Sequence, residues 1–267
     1  MTFHQGSEDA ESLRAVIDAL YARLPAYVPP TLSVCLCGVC MTPETLAQII
    51  ATPVRDLSPD LIAEYTNSAH AVPQNPDDLR ALLPRYLDLM AQGQSVSPHG
   101  IGVDLRRFGD GRRAHAMLFD PTTETLLNNA ARLMLLQAAA ANAQEEGSAP
   151  SPLYLAEVFL VGGWIPAVVM AALDALFAGD HGPKALVQFL TLLGNRFVQK
   201  GFFDFYALTE YRGEAIPAIC DWLNHMLQIP PAHDILLAAD PEDHPWAGIL
   251  WDLAGSIAPG HFRPPAR

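Results

Sequence analysis

The chain has 267 residues, half of them hydrophobic and 17% charged, with a formal net charge of -13. That length and apolar content suit one large helical domain or two small ones and exclude a disordered chain. The acidic excess argues against nucleic acid and against anionic membrane surfaces, both of which call for Lys and Arg.

In chain order, helical spacing begins with Leu13, Val16, Ile17, Leu20, Tyr21 and Leu24, the 3, 4, 3 pattern that lines one helix face. The stretch from Pro25 to Met41 has no such period and holds three cysteines; a short hairpin near Pro30 to Val39 is the one place where sheet is expected. Period returns at Leu79, Leu82, Leu83, Tyr86, Leu87 and Met90, with Pro84 inside it. Gly93 to Gly111 contains five glycines and reads as irregular. The segment from Asn142 to Pro152 is short and polar, and is the candidate internal boundary of a single domain spanning 1–267. The longest apolar run, Val158 to Leu173, is broken by Gly162, Gly163 and Pro166 and is shorter than the roughly 20 residues of a membrane span. Three more helical patterns follow, led by Leu186, Ile216 and Trp246.

Capping signals agree with these periods. Thr42-Pro43, Ser58-Pro59, Asn75-Pro76, Asp120-Pro121 and Ser151-Pro152 each place a capping side chain before a proline at the first helical position. The cap oxygen accepts an orphan N–H, and proline lacks a donor that would be wasted there. The prediction is an all-α fold of antiparallel helical hairpins, α-solenoid-like in its stacking.

The most specific local feature is VCLCGVCMTPE, Val34 to Glu44. Cys37 and Cys40 form a C-x-x-C, a spacing at which a tight turn brings two thiolates to one Zn²⁺. Cys35 supplies a third sulfur and His70 is the candidate fourth ligand. The bland alternative is a set of reduced thiols between two helices, with no cofactor at all. Cys220 falls on an apolar helix face and reads as a small core residue. Four cysteines so distributed do not form a secreted disulfide framework, and the amino terminus has no signal-peptide pattern, so a reducing cytoplasm is the expected location.

CGVCMTPE (Cys37 to Glu44), ATPVRDLSPDLIAEY (Ala51 to Tyr65) and DDLRALLPRYLDLMAQG (Asp77 to Gly93) together resemble a family of uncharacterised bacterial helical proteins. In that family a cysteine-rich turn ending in Ser or Thr, Pro and Glu precedes an LPR-LEL-like helix. The resemblance covers about a fifth of the chain, and implies a bacterial cytoplasmic helical protein without implying a catalytic activity. The chain departs from the family in spacing its cysteines C-x-C-x-x-C instead of a tighter C-x-C-C.

No phosphate loop, dinucleotide fingerprint, H-E-x-x-H or G-x-S-x-G occurs. Arg106, Arg107, Arg112 and Arg113 are the one basic cluster, read as solvated or paired with nearby carboxylates. Gly201 to Tyr211 is rich in aromatic residues; Phe202, Phe203 and Tyr206 are the candidate partner-binding anchors, with core packing as their alternative use. Three functions therefore stand open. The first is a non-catalytic protein that binds a basic protein partner, such as an immunity or antitoxin-like inhibitor of a bacterial toxin. The second is a zinc-binding regulatory or accessory protein, and the third is an enzyme without a local motif.

Overall fold

A computed structural model describes residues 5–69, 74–94, 96–97, 104–143, 150–180, 182–200, 208, 211–240, 242–243, 247–248 and 250–251. The fold is all-α, and no strand occurs among the described residues. The principal helices are α1 (Gln5–Arg23), α2 (Pro43–Ala51), α3 (Pro59–Asn67), α4 (Pro76–Ala91), α5 (Arg106–Ala114) and α6 (Pro121–Ala143). They continue as α7 (Pro152–Val161), α8 (Pro166–Ala178), α9 (Gly182–Lys200), α10 (Ile216–Met226) and α11 (Pro230–Ala238).

The five cap-and-proline starts work as their chemistry dictates. Thr42 accepts from Thr45 N, Ser58 from Leu61 N, Asn75 from Asp77 N and Ser151 from Tyr154 N. Asp120 accepts from the N–H groups of both Thr122 and Thr123. These hydrogen bonds, with the threonine hydroxyl as the largest influence, hold its carboxyl at about 2. The long apolar run is cut at Gly162 and Gly163 into α7 and α8, and no helix is long and apolar enough to cross a membrane among the described residues.

Packing is not confined to sequence neighbours, as it would be in a solenoid. Helix α6 lies at the centre, against α1 on one side and α7, α8 and α9 on others. Helix α1 also touches α4, α4 touches α5, and α5 touches α7. One apolar cluster runs through all of this, from Leu13 to Leu250. Of the suggested boundary between 142 and 152, residues 144–149 lie outside the described residues.

Helix α5 corrects the sequence reading, which left Gly93 to Gly111 irregular. Gly109 and Gly111 lower helix propensity, yet the packing requires them. A Cβ on Gly109 would stand 2.0 Å from the carbonyl oxygen of Val161, and one on Gly111 would stand 2.0 Å from Leu79 Cδ1. The two glycines let α5 approach α7 and α4 more closely than any side chain would allow. That approach carries Arg107 into the interior.

Candidate metal centre

Pro25 to Thr42 forms an irregular loop between α1 and α2. Val28, Leu32 and Met41 bury their side chains and anchor its two ends to the core. Between them the chain lifts away. Cys37 is exposed, Cys35 and Cys40 are half-buried, and the Val39 side chain at the tip is 94% exposed.

The turn is built for convergence. Gly38 has φ +77°, a left-handed conformation that reverses the chain between Cys37 and Cys40 and that glycine adopts without steric cost. The sulfurs of Cys35, Cys37 and Cys40 all lie within 4.8 Å of one another. A tetrahedral ion with bonds of about 2.3 Å would hold its sulfurs about 3.8 Å apart, so a small inward adjustment of each thiolate completes three corners of such a site.

The hydrogen bonds favour charge on one sulfur. Backbone N–H groups of Cys40 and then of Val39 stabilise the Cys37 thiolate, helped by the side chains of Cys35 and Cys40, and lower its pKa to about 7. The Cys35 thiol, hydrogen-bonded to Cys37, moves the other way and is raised. The turn thus favours a thiolate at Cys37 near neutral pH, with two further thiols in reach.

Three backbone contacts hold the loop to the helices beneath. Ser33 N donates to Asp78 Oδ2 at 2.7 Å, Cys35 N donates to Ala69 O at 2.7 Å, and Ser68 Oγ shares its proton between Cys40 O at 3.0 Å and Glu64 O at 2.8 Å. Asp78 sits in the first turn of α4, fully buried, and burial raises its carboxyl to about 6. Ser68 ends α3, and it is also fully buried.

Of the four predicted ligands, the structure brings three together. His70 lies outside the described residues, although its neighbour Ala69 is bonded to Cys35. Cys220 is elsewhere, buried in α10, where desolvation raises its thiol to about 11. Phe202, Phe203 and Tyr206 also lie outside the described residues.

Arg112 and Arg113 pair with nearby carboxylates as the sequence reading allowed, whereas Arg107 departs from it. Arg107 is only 2% exposed, stacked 4.2 Å from the centre of the Tyr65 ring. Arg112 lies against Trp164 and Phe119 and pairs with Glu124 at 2.8 Å. Arg113 pairs with Asp110, while Arg106 stacks on Tyr211. The sequence signal that could have revealed Arg107 is its place four residues before Gly111, on the face of α5 that meets α4.

A small cleft of about 170 Å³ between the end of α4 and the start of α7 contains Asp104, whose carboxyl burial raises and which accepts from Tyr154 Oη at 2.5 Å. Its volume is below the roughly 300 Å³ at which ligand pockets begin. The cysteine turn is the stronger site.

A scan of protein-family models, a search of curated proteins and a search of solved structures each found no match to the chain.

Proposed function

We propose that the protein binds zinc through Cys35, Cys37 and Cys40, as a metal-dependent regulatory or accessory protein. The observation that carries this reading is the mutual approach of the three sulfurs to within 4.8 Å on one glycine-hinged turn. Thiolates are borderline-soft donors suited to Zn²⁺. His70 is the proposed fourth ligand, favoured by the bond that joins its neighbour Ala69 to Cys35. Binding displaces thiol protons, so affinity weakens as the pH falls below about 7, where Cys37 takes its proton back.

Metal analysis of protein purified without chelator tests the reading. The expected result is close to one zinc per chain, lost in Cys37→Ser and reduced in His70→Ala. Wild-type protein that neither carries nor takes up zinc overturns it.

A second reading, association with a basic protein such as a toxin domain, is favoured by the acidic balance of the chain, 29 Asp and Glu against 16 Lys and Arg. The side chains of Arg85, Arg112 and Arg212 are 12%, 14% and 11% exposed, and Arg107 is buried. Four carboxylates, those of Asp78, Asp88, Asp104 and Glu157, are buried as well, so the surface keeps the acidity that the net charge of -13 implies. Such a field accelerates association with a basic surface and is screened by salt. Stopped-flow association with a basic toxin domain should slow steeply from low to high salt; a rate indifferent to salt removes this reading.

A further inference from the structure

Arg107 is among the largest fully buried side chains of the protein, its guanidinium 4.2 Å from the centre of the Tyr65 ring. A guanidinium in such surroundings is costly unless its donors are satisfied. Here Nη2 donates to Ser68 O and Nε to Thr66 O at 3.5 Å, while Nη1 has no hydrogen-bond partner among the described residues. The arginine fixes one short piece of backbone, the exit of α3 at residues 66 to 68.

That piece of backbone governs the cysteine turn. Ser68 Oγ shares its one proton between Glu64 O at 2.8 Å, within α3, and Cys40 O at 3.0 Å, at one end of the C-x-C-x-x-C segment. Ala69 O accepts from the amide of Cys35, at the other end. The two ends of the thiol cluster are therefore tied to two consecutive residues, and the first of these is held by Arg107. How far apart the ends sit decides how closely the three sulfurs converge.

We infer that Arg107 and Ser68 are positioning residues for the metal centre, a buried clamp that sets the spacing of Cys35 and Cys40 without touching the sulfurs. This rests on the zinc reading above. Outer-shell contacts of this kind change metal affinity by about 10- to 100-fold when removed. Arg107 supplies two donors from one rigid fork, which a lysine cannot reproduce. Ser68 supplies a single hydroxyl on the path between Arg107 and Cys40.

The experiment measures Zn²⁺ affinity by chelator competition, and the Co²⁺-thiolate charge-transfer absorption at saturation, for wild type, Arg107→Met, Arg107→Lys and Ser68→Ala. All three variants should bind Zn²⁺ about 10- to 100-fold more weakly. Saturated Co²⁺ forms should keep the wild-type charge-transfer intensity, because the thiolates are unchanged and only their preorganisation is lost. Should the Arg107 variants fail to fold by circular dichroism, Ser68→Ala decides alone. Wild-type affinity in Ser68→Ala overturns the clamp while leaving the zinc reading intact. Wild-type affinity in Arg107→Lys also overturns it, since charge alone would then suffice. A wild type that binds no Zn²⁺ overturns both.

Discussion

Val158, Phe159, Leu160 and Val161 of α7 disappear into the core together with Leu127, Leu133 and Leu135 of α6, whereas residues 33 to 40 of the cysteine loop hang from three hydrogen bonds, to Asp78, Ala69 and Ser68. In the first region many side chains share a non-directional driving force proportional to buried area. In the second, a few directional bonds fix position while contributing little net stability. The comparison teaches that the core determines whether the protein folds, while the loop, on the proposed zinc reading, determines what it binds. Substitutions should therefore separate the two, and the separation is open to measurement.

The largest effect should come from the core. Phe159 is fully buried, with its ring centre 5.2 Å from that of Trp164. Phe159→Ala should cost about 3–5 kcal/mol, from lost transfer energy and the cavity left behind. Denaturant unfolding measures the loss, and zinc stoichiometry of the remaining folded protein should stay that of wild type. A loss of both together would show that core and loop are one cooperative unit.

Zinc should act in the opposite sense. Metal that binds only the folded chain raises its Tm by mass action, so adding zinc to metal-free wild type should raise the Tm by several degrees and leave Cys37→Ser unmoved. Differential scanning calorimetry with and without zinc checks this. An equal rise in Cys37→Ser would place the stabilising metal somewhere other than the turn.

How much of this was legible in the sequence differs by element for physical reasons. Ser58-Pro59 and Ser151-Pro152 announce helices α3 and α7 because the cap is a local device, complete within four residues. The sulfur cluster was legible for the same reason, since Cys35, Cys37 and Cys40 sit on one turn. Helix α5 was not. Gly109 and Gly111 speak against a helix locally and are explained only by Val161 and Leu79, which approach from distant parts of the chain. Arg107 followed α5 out of sight, because its burial depends on α3 and on Tyr65. The central place of α6, against α1 and α8 alike, likewise reflects long-range packing that no local pattern encodes.

Asp78 lies on the border between the two regions, and its effect should depend on pH. Burial raises its carboxyl from the ordinary carboxylate range to about 6. Between about pH 4 and pH 6 the folded protein keeps a proton that the unfolded chain has released. Its contribution to stability is therefore fully present below that window and is lost as the pH rises through 6. Asp78→Asn cannot ionise and keeps an oxygen for Ser33 N. Its Tm should gain on wild type as the pH rises from 4 to 6 and hold a constant lead above that. A Tm difference that does not change with pH would mean that Asp78 binds its proton alike in the folded and unfolded chain.

The smallest effect should come from Val39, and it tests the comparison most directly because α7 offers the same residue type in the opposite setting. Val158 is fully buried, whereas Val39 is 94% exposed beside Cys40. Val39 removes almost no apolar surface from water on folding, so the hydrophobic term that makes Val158 stabilising is absent from it. Its amide stabilises the Cys37 thiolate, but a serine retains that N–H. Val39→Ser should accordingly leave stability within about 0.5 kcal/mol of wild type, with zinc affinity also unchanged. Denaturant unfolding and chelator competition on the same preparation read both quantities. A marked loss of stability would mean that the loop tip packs against apolar surface in solution. A loss of zinc affinity alone would mean that the valine shields the thiolates from water.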